Sequence, residues 1–481
     1  GSEMFIRDRS SDEFFTPPQL ANRMLDLLPD ELWSDKNATF LDPGCKSGVF
    51  LREITKRLDK GLEKQIPDRQ KRIDHIFKNQ LYGLPITELT ALLSRRTLYC
   101  SKTANGKYSV SKAFNKPDGN IRFGRIKHIW VNGRCSFCGA NKDNYDRSSE
   151  LETHAYAFIH TLNPEEIFKM KFDVIIGNPP YQLSDGGFGK SASPIYNVFV
   201  HQAKKMNPRF ITMIIPSRWF AGGKGLNEFR VEMLNDDRIR KIVDYEDANE
   251  VFPGVDIAGG VCYFLWDRDS HGPCEITNVR NNESIVSVRH LNEFQTFIRH
   301  SQAVPIIRKV ISKNENNMSQ QVSSRKPFGL PTNARPTKKG DIVLRWNDGE
   351  GPYFRKDIEV GVELIDKWKV ITSYVGYDHA GNPGKDGKRR VFSKIDILPP
   401  GTICTETYLV VGSYDNEKYA INLVNYMKTK FFRFLVSQFM YSHHITKESY
   451  SLVPQLDMTK NWTDQKLYAR YGISIEEQAF I

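Results

Sequence analysis

The chain has 481 residues, of which 40% are hydrophobic and 26% charged. That composition excludes a mainly disordered, collagen-like or coiled-coil chain and leaves room for about three domains. The 68 Lys and Arg outnumber the 57 Asp and Glu to give a net charge of +11, which points to a polyanionic partner, nucleic acid first.

From residue 38 onward, short apolar runs alternate with segments of helical periodicity. Strands are expected at 38–41, 80–84, 171–176, 210–215, 239–244 and 260–266, and helices at 49–58, 88–98, 196–206 and 226–234. Strand and helix in this rhythm predict an α/β domain with a doubly wound, mostly parallel sheet over residues 1–270. Within it, Phe40-Leu41-Asp42-Pro43-Gly44-Cys45-Lys46-Ser47-Gly48 reads as a strand turning tightly into a helix. Small residues at 44, 47 and 48 let backbone approach a ligand, and an acid at a strand's carboxyl end can meet a ligand's ammonium or hydroxyl. The phosphate-loop spacing is absent, which argues against a nucleoside triphosphatase.

Residues 99–150 interrupt the rhythm. Between Ala91 and Arg134 stand ten basic residues and one acid, Asp118. Such one-sided charge favours phosphate contact over an ordinary solvated face, and Arg122, Arg125 and Lys127 are the candidate DNA contacts. Apolar positions at Ile121, Phe123, Ile126 and Ile129 suggest a short hairpin. The turn Arg134-Cys135-Ser136-Phe137-Cys138-Gly139 has the form of half a zinc site, and Cys100 and His128 in the same insert complete a possible ligand set with Cys135 and Cys138. One structural zinc is one reading; unligated thiols in a small hairpin and a redox pair are the others.

Phe172-Asp173-Val174-Ile175-Ile176-Gly177-Asn178-Pro179-Pro180-Tyr181 is a buried strand ending in a two-proline turn with an aromatic tip. The prolines remove two backbone donors and leave fixed carbonyl acceptors. Were the Asn178 side-chain oxygen and a turn carbonyl each to accept one hydrogen of an exocyclic amine, the nitrogen lone pair would be freed for attack, with Tyr181 stacking on the ring. Beyond 270 the rhythm is lost: a polar tract at 313–325, β-like pieces such as 369–374 and a Gly/Lys-rich loop at 381–390 predict a second, α+β domain over 271–481. A long amphipathic helix is expected at 419–439, with Phe431, Phe432, Phe434, Leu435 and Phe439 on its apolar face. Seven cysteines fit a reducing compartment, the apolar runs fall far short of the ~20 residues of a membrane span, and Gly1-Ser2 reads as a cloning remnant with no secretory leader after it. A cytoplasmic location is expected.

The Asn-Pro-Pro-Tyr turn at 178–181, the Asp-Pro-x-x-x-Ser-Gly turn at 42–48 and Phe14-Phe15-Thr16-Pro17 together resemble the N6-adenine DNA methyltransferases of type II restriction-modification systems. The resemblance extends to Ile214-Ile215-Pro216-Ser217-Arg218-Trp219, to Val251-Phe252-Pro253-Gly254-Val255 with Gly259-Gly260-Val261, and to 462–468. It implies a Rossmann-like sheet, transfer of methyl from S-adenosylmethionine to adenine N6 in double-stranded DNA, and flipping of the base into the site. By that resemblance Phe15, Thr16, Pro17, Asp42, Pro43, Gly44, Lys46, Ser47 and Gly48 would hold the cofactor. Asn178, Pro179, Pro180 and Tyr181 would be catalytic, with Tyr181 and Phe252 against the target base. The C-terminal domain would read sequence, with Arg389 and Arg390 among its DNA contacts. Only about 40 residues precede the cofactor turn, so a cleaving endonuclease is expected on a separate chain.

Three positions depart from the family pattern. Lys46 stands where Gly is usual, Pro85 where an acid binds the ribose hydroxyls, with Glu88 three residues on, and His160 where an Asp usually meets the cofactor's adenine. These departures predict weak cofactor binding. Methylation of RNA adenine or of a protein glutamine, and a non-catalytic DNA-binding relative, are the alternative readings.

Overall fold

In a computed structural model the described residues are 14–146, 152–183, 193–223, 225–255, 257, 259–281, 283–294, 296–376, 391–439 and 444–481. The chain divides into two compact units, Gly1–Gln295 and Thr296–Ile481.

In the first unit the main elements are α1 (Pro18–Leu25), β1 (Phe40–Cys45), α2 (Val49–Gly61), β2 (Leu81–Pro85), α3 (Glu88–Tyr99), β3 (Trp130–Val131), β4 (Arg134–Cys135), β5 (Val174–Gly177), α4 (Tyr196–Lys205), β6 (Phe210–Pro216), α5 (Asn227–Asn235), β7 (Ile239–Tyr245), β8 (Val261–Asp267), β9 (Cys274–Arg280) and β10 (Glu283–Arg289). Among the described residues, eight strands form one sheet in the order β10-β9-β7-β8-β6-β5-β1-β2. The β2, β1, β5 and β6 half is parallel. Strand β8 runs antiparallel to both β6 and β7, and β9 returns parallel to β7. The sheet is mostly parallel as expected: six of its eight strands run one way, and only β8, inserted between β6 and β7, and the edge strand β10 oppose them. The unit also runs to Gln295, past the expected boundary at 270, since β9 and β10 continue the sheet.

Strands β1, β5, β6 and nearly all of β8 are buried along their lengths, as strands covered on both faces must be. Helix α2 buries Phe50, Leu51, Ile54 and Leu58 as it packs on β1 and β2, each such side chain contributing about 1.5–3 kcal/mol. The chain leaves β1 for β2 on one side and later returns to β5 on the other. The point where strand order reverses thus falls between the carboxyl ends of β1 and β5, the place where open α/β sheets bind ligands.

The insert follows α3. Its Arg122 N–H donates to Gly83 O, and Gly83 N–H donates to Asn120 O, so residues 120–122 cover the edge of β2 that would otherwise be an open pairing template. The hairpin lies at β3 and β4 and not at 121–129 as expected. Ile121 is buried against Gly83 instead.

The second unit holds α6 (Ala303–Ile311), β11 (Ile342–Trp346), β12 (Gly349–Tyr353), β13 (Trp368–Ser373), β14 (Ile395–Leu398), β15 (Thr402–Cys404), β16 (Tyr408–Tyr414), α7 (Glu417–Lys428), α8 (Lys430–Ser437), α9 (Asp464–Tyr471) and α10 (Ile475–Phe480). Its two sheets are ordered β12-β11-β15 and β14-β13-β16, and Phe328, Leu344, Ile371, Ile403 and Val410 meet in a core. The long helix expected at 419–439 is two helices. Thr429 adopts extended geometry (φ −65°, ψ 151°) and caps α8 by accepting from Phe432 N–H, while the Asp464 carboxylate accepts from the N–H groups of Lys430 and Phe431. Capping satisfied from two sides outweighs continued apolar periodicity.

Candidate active site

The glycine turn leaves β1 with Gly48 at φ +75°, a left-handed conformation that glycine adopts without steric cost, and α2 begins at the next residue. A Cβ on Gly44 would lie 3.3 Å from Pro179 Cα and 3.5 Å from the Asn178 carbonyl oxygen, so the turns after β1 and β5 are in contact. Together they bound a small pocket, partly open to solvent, lined by Thr16, Asp42, Gly44, Lys46, Ser47, Gly48, Val49, Phe50 and Asn178. Of the residues expected at a cofactor, Phe15 is 40% exposed, Pro17 precedes the first turn of α1, and neither they nor Pro43 line the pocket.

Asp42 is buried, and its Oδ1 accepts from Gly44 N–H at 3.2 Å. Burial pushes its pKa up to about 7, against the opposing pull of that N–H, Cys45 and Lys46. Lys46 is buried too and donates from Nζ to the Phe14 carbonyl at 3.1 Å, with its ammonium 6.0 Å from the centre of the Tyr181 ring. The same Phe14 carbonyl accepts from Asn178 Nδ2 at 3.2 Å, and Thr16 Oγ1 accepts from that nitrogen at 3.1 Å. Both amide hydrogens of Asn178 are thereby used. Its Oδ1 is left buried without a hydrogen-bond partner, a position normally filled by a donor from outside.

Tyr181 is buried, with the rings of Phe14 and Tyr196 at 6.1 and 6.5 Å. Phe252, expected at the target base, is buried with its ring 6.1 Å from that of Phe14; Phe14 therefore touches both aromatics assigned to the base. Pro85 ends β2 buried, and Glu88 is exposed at the start of α3.

His160, expected at the cofactor's adenine, has sulfur and imidazole neighbours. It clusters with His128, Cys135 and Cys138, all four ligand atoms within 4.8 Å of one another. The group could hold a metal ion. Cys100, assigned to that set from sequence, is exposed at the left-handed C-cap of α3 (φ 54°) and is not part of it. His160 was the missed member because it lies outside the insert and its position suggested a cofactor role. Burial lowers the pKa of both imidazoles, that of His160 to about 4, and pushes the Cys138 thiol up to about 12.

Arg122, Arg125 and Lys127 are exposed, although the Arg122 guanidinium lies 4.6 Å from the Phe168 ring and donates to the Ile167 carbonyl. Arg389 and Arg390 fall outside the described residues. No helix among the described residues is long and apolar enough to cross a membrane.

A family model described as Eco57I restriction-modification methylase matches residues 79–252. A relative from Mycoplasma pneumoniae, described as an uncharacterized adenine-specific methylase, is 40% identical over an alignment of 295 residues that covers 56% of this chain and 70% of the relative. The chain belongs to the adenine-specific methylases. Among solved structures, this methylase is similar to the type I restriction-modification system methyltransferase subunit from Streptococcus thermophilus, at 15% identity and a TM-score of 0.33 over 60% of this chain and 55% of that one. It is also similar to the type IIL restriction-modification enzyme MmeI in complex with DNA, at 11% identity and a TM-score of 0.44 over 88% of the methylase and 61% of MmeI. The methylase thus spans a little over half the length of these two solved chains.

Proposed function

We propose that this methylase transfers the methyl group of S-adenosylmethionine to the N6 amine of adenine in double-stranded DNA, as the modifying activity of a restriction-modification system. The observation that carries the proposal is the unpartnered Asn178 Oδ1. Its amide hydrogens are taken by Phe14 and Thr16, so the oxygen faces the site as an acceptor, the role needed to draw an exocyclic amine toward tetrahedral geometry. A turn carbonyl would accept the second amine hydrogen, leaving the nitrogen lone pair free to attack.

The pocket's residues suit the cofactor. Thr16, Asp42, Gly44, Ser47 and Gly48 offer small residues, a hydroxyl and a carboxylate beside the catalytic turn, and together they would hold it. When bound, S-adenosylmethionine supplies an electrophilic methyl on a sulfonium. Stacking of adenine on Tyr181 contributes roughly 1–3 kcal/mol. The exposed Arg125 and Lys127 of the insert would contact DNA phosphates, and the C-terminal region, with Arg389 and Arg390, would read sequence.

Incubation with radiolabelled S-adenosylmethionine and separate DNA, RNA and protein substrates tests this reading. Label should enter DNA as N6-methyladenine, and Asn178→Ala should reduce the rate by about 10²–10³. Label in RNA or protein alone, or an unimpaired variant, would refute it.

A further inference from the structure

We propose that His128, Cys135, Cys138 and His160 form a closed, four-ligand site for a structural zinc ion that fastens the basic insert to the segment leading into β5. The proposal is independent of the methyl-transfer reading and rests on where the protons are. His128 Nε2 lies 2.8 Å from the Thr153 carbonyl, and a carbonyl can only accept, so that nitrogen carries the hydrogen and Nδ1 presents a lone pair. His160 Nδ1 lies 2.9 Å from the Tyr156 carbonyl, which by the same logic leaves Nε2 with a lone pair. These two lone-pair nitrogens face each other at 3.2 Å. Two acceptors at that distance repel unless a cation lies between them, and a second nitrogen anchored on a carbonyl is the usual arrangement of metal-bound imidazoles.

The spacing suits zinc. Bonds of about 2.0–2.1 Å to nitrogen and about 2.3 Å to sulfur, at tetrahedral angles, put ligand nitrogens about 3.3 Å apart and nitrogen and sulfur about 3.6 Å apart. The nitrogens are at 3.2 Å, and Cys138 Sγ is 3.4 Å from His128 Nδ1. The thiols share one tight turn: Cys135 N–H donates to Ala140 O, Gly139 N–H donates to Cys135 O, and Gly139 has φ +73°. The Trp130 and Tyr145 rings lie 4.8 and 5.9 Å from the His128 ring, and Phe137 is 5.8 Å from His160. Two thiolates and two imidazoles behind that aromatic wall leave no open coordination position, which marks a structural and not a catalytic ion.

The fold gives the ion a purpose. Strands β3 and β4 have two residues each, and Ile129 and Val131 beside them are more than half exposed. Such a hairpin buries too little apolar surface to hold itself, and metal binding can supply the missing stabilisation. His160 makes the ligand set span the insert and the chain beyond it. The Phe158 and Thr161 carbonyls on either side of His160 accept from Gln202 of α4, so the ion would anchor the insert to a segment already docked on the catalytic unit.

Mass-spectrometric metal analysis of full-length protein purified without added metal should find about one zinc per chain. Cys100→Ser should keep it, and Cys138→Ser and His160→Ala should lose it. Cobalt-loaded wild-type protein requires no destabilising variant and should show the visible absorption of a tetrahedral site with two thiolates and two imidazoles. Chelation should expose the insert to protease while the sheet keeps its thermal transition. Protein that is metal-free as isolated and takes up no added zinc would overturn the proposal, leaving a cluster joined by S–H···N and N–H···N hydrogen bonds. A three-thiolate cobalt spectrum, or loss of zinc on Cys100→Ser with retention on His160→Ala, would overturn this ligand set.

Discussion

Replacing Asp42 with Asn separates the electrostatics of the pocket from its shape. The carboxyl is buried at the end of β1, and its pKa rises from 3.8 to about 7, chiefly through burial. Between those two values the folded chain holds a proton that the unfolded chain has already lost. Its stability therefore falls as pH rises through that window and stays at the lower level above pH 7. At about 1.4 kcal/mol per pH unit, the wild-type residue should cost the fold about 3 kcal/mol more at pH 8 than at pH 5. Asn cannot ionise, so the variant lacks that slope. Urea titrations at pH 5 and pH 8, followed through the fluorescence of the buried Trp33 and Trp266 in the same unit, give two stability differences between variant and wild type. Their difference cancels whatever the new amide does independently of pH. A value near 3 kcal/mol in favour of the variant at pH 8 is expected, and parallel pH profiles would show that the Asp42 carboxyl ionises as freely in the fold as in water. The same logic predicts that S-adenosylmethionine affinity of the wild type weakens as pH falls below 7, whereas that of Asp42→Asn stays level; calorimetry reads both.

Gly44→Ala places a methyl 3.3 Å from Pro179 Cα and should displace the turn at 178–181 by a few tenths of an ångström, lowering methyl transfer by about tenfold or more while the thermal midpoint changes little; an unchanged rate would show that the turns move apart freely. Replacing Arg122, Arg125 and Lys127 together with Ala should weaken binding to all duplexes alike and reduce the salt slope by up to about 2.7, the full value for three phosphate contacts. Fluorescence anisotropy across a potassium chloride series measures it, and an intact slope with lost site discrimination would move sequence reading into the insert. Thr429→Ala should destabilise the second unit by about 1 kcal/mol through loss of the α8 cap; an unchanged urea midpoint would assign the helix break to Asp464 alone.

The features legible in the sequence are those written in neighbouring residues. The alternation of apolar runs places β1, β2, β5, β6, β7 and β8 and helices α2 to α5 to within a few residues, but not α1, β9 or β10; the glycine turn and the two-proline turn are legible by residue type. What escaped was settled through space. His160 joins His128 across 32 positions, whereas Cys100 looked the better ligand only because it shared the insert. Apolar periodicity runs through Thr429 without interruption, and the break comes from a hydroxyl cap and from Asp464, 34 positions away from Lys430. The one reversed strand inside the sheet, β8, likewise depends on insertion between β6 and β7, a choice of partner that no strand's own sequence encodes. Orientation of the Asn178 amide was beyond reach for a simpler reason: one of its acceptors is a backbone carbonyl, and every residue has one.

That carbonyl has a practical consequence for handling the enzyme. Phe14 O holds both the Lys46 ammonium and the Asn178 amide, the latter across 164 residues of chain. The Asn178 side chain, for which we propose a catalytic role, is thus aimed by a short stretch immediately before α1 and not by its own strand alone. An affinity tag or fusion partner joined close to Phe14 pulls directly on this stretch. A quarter-turn of that peptide would withdraw the acceptor from Asn178 and let the amide flip, presenting two hydrogens to the incoming amine in place of an oxygen. Folding, solubility and DNA affinity would all look normal in such a fusion while turnover disappeared.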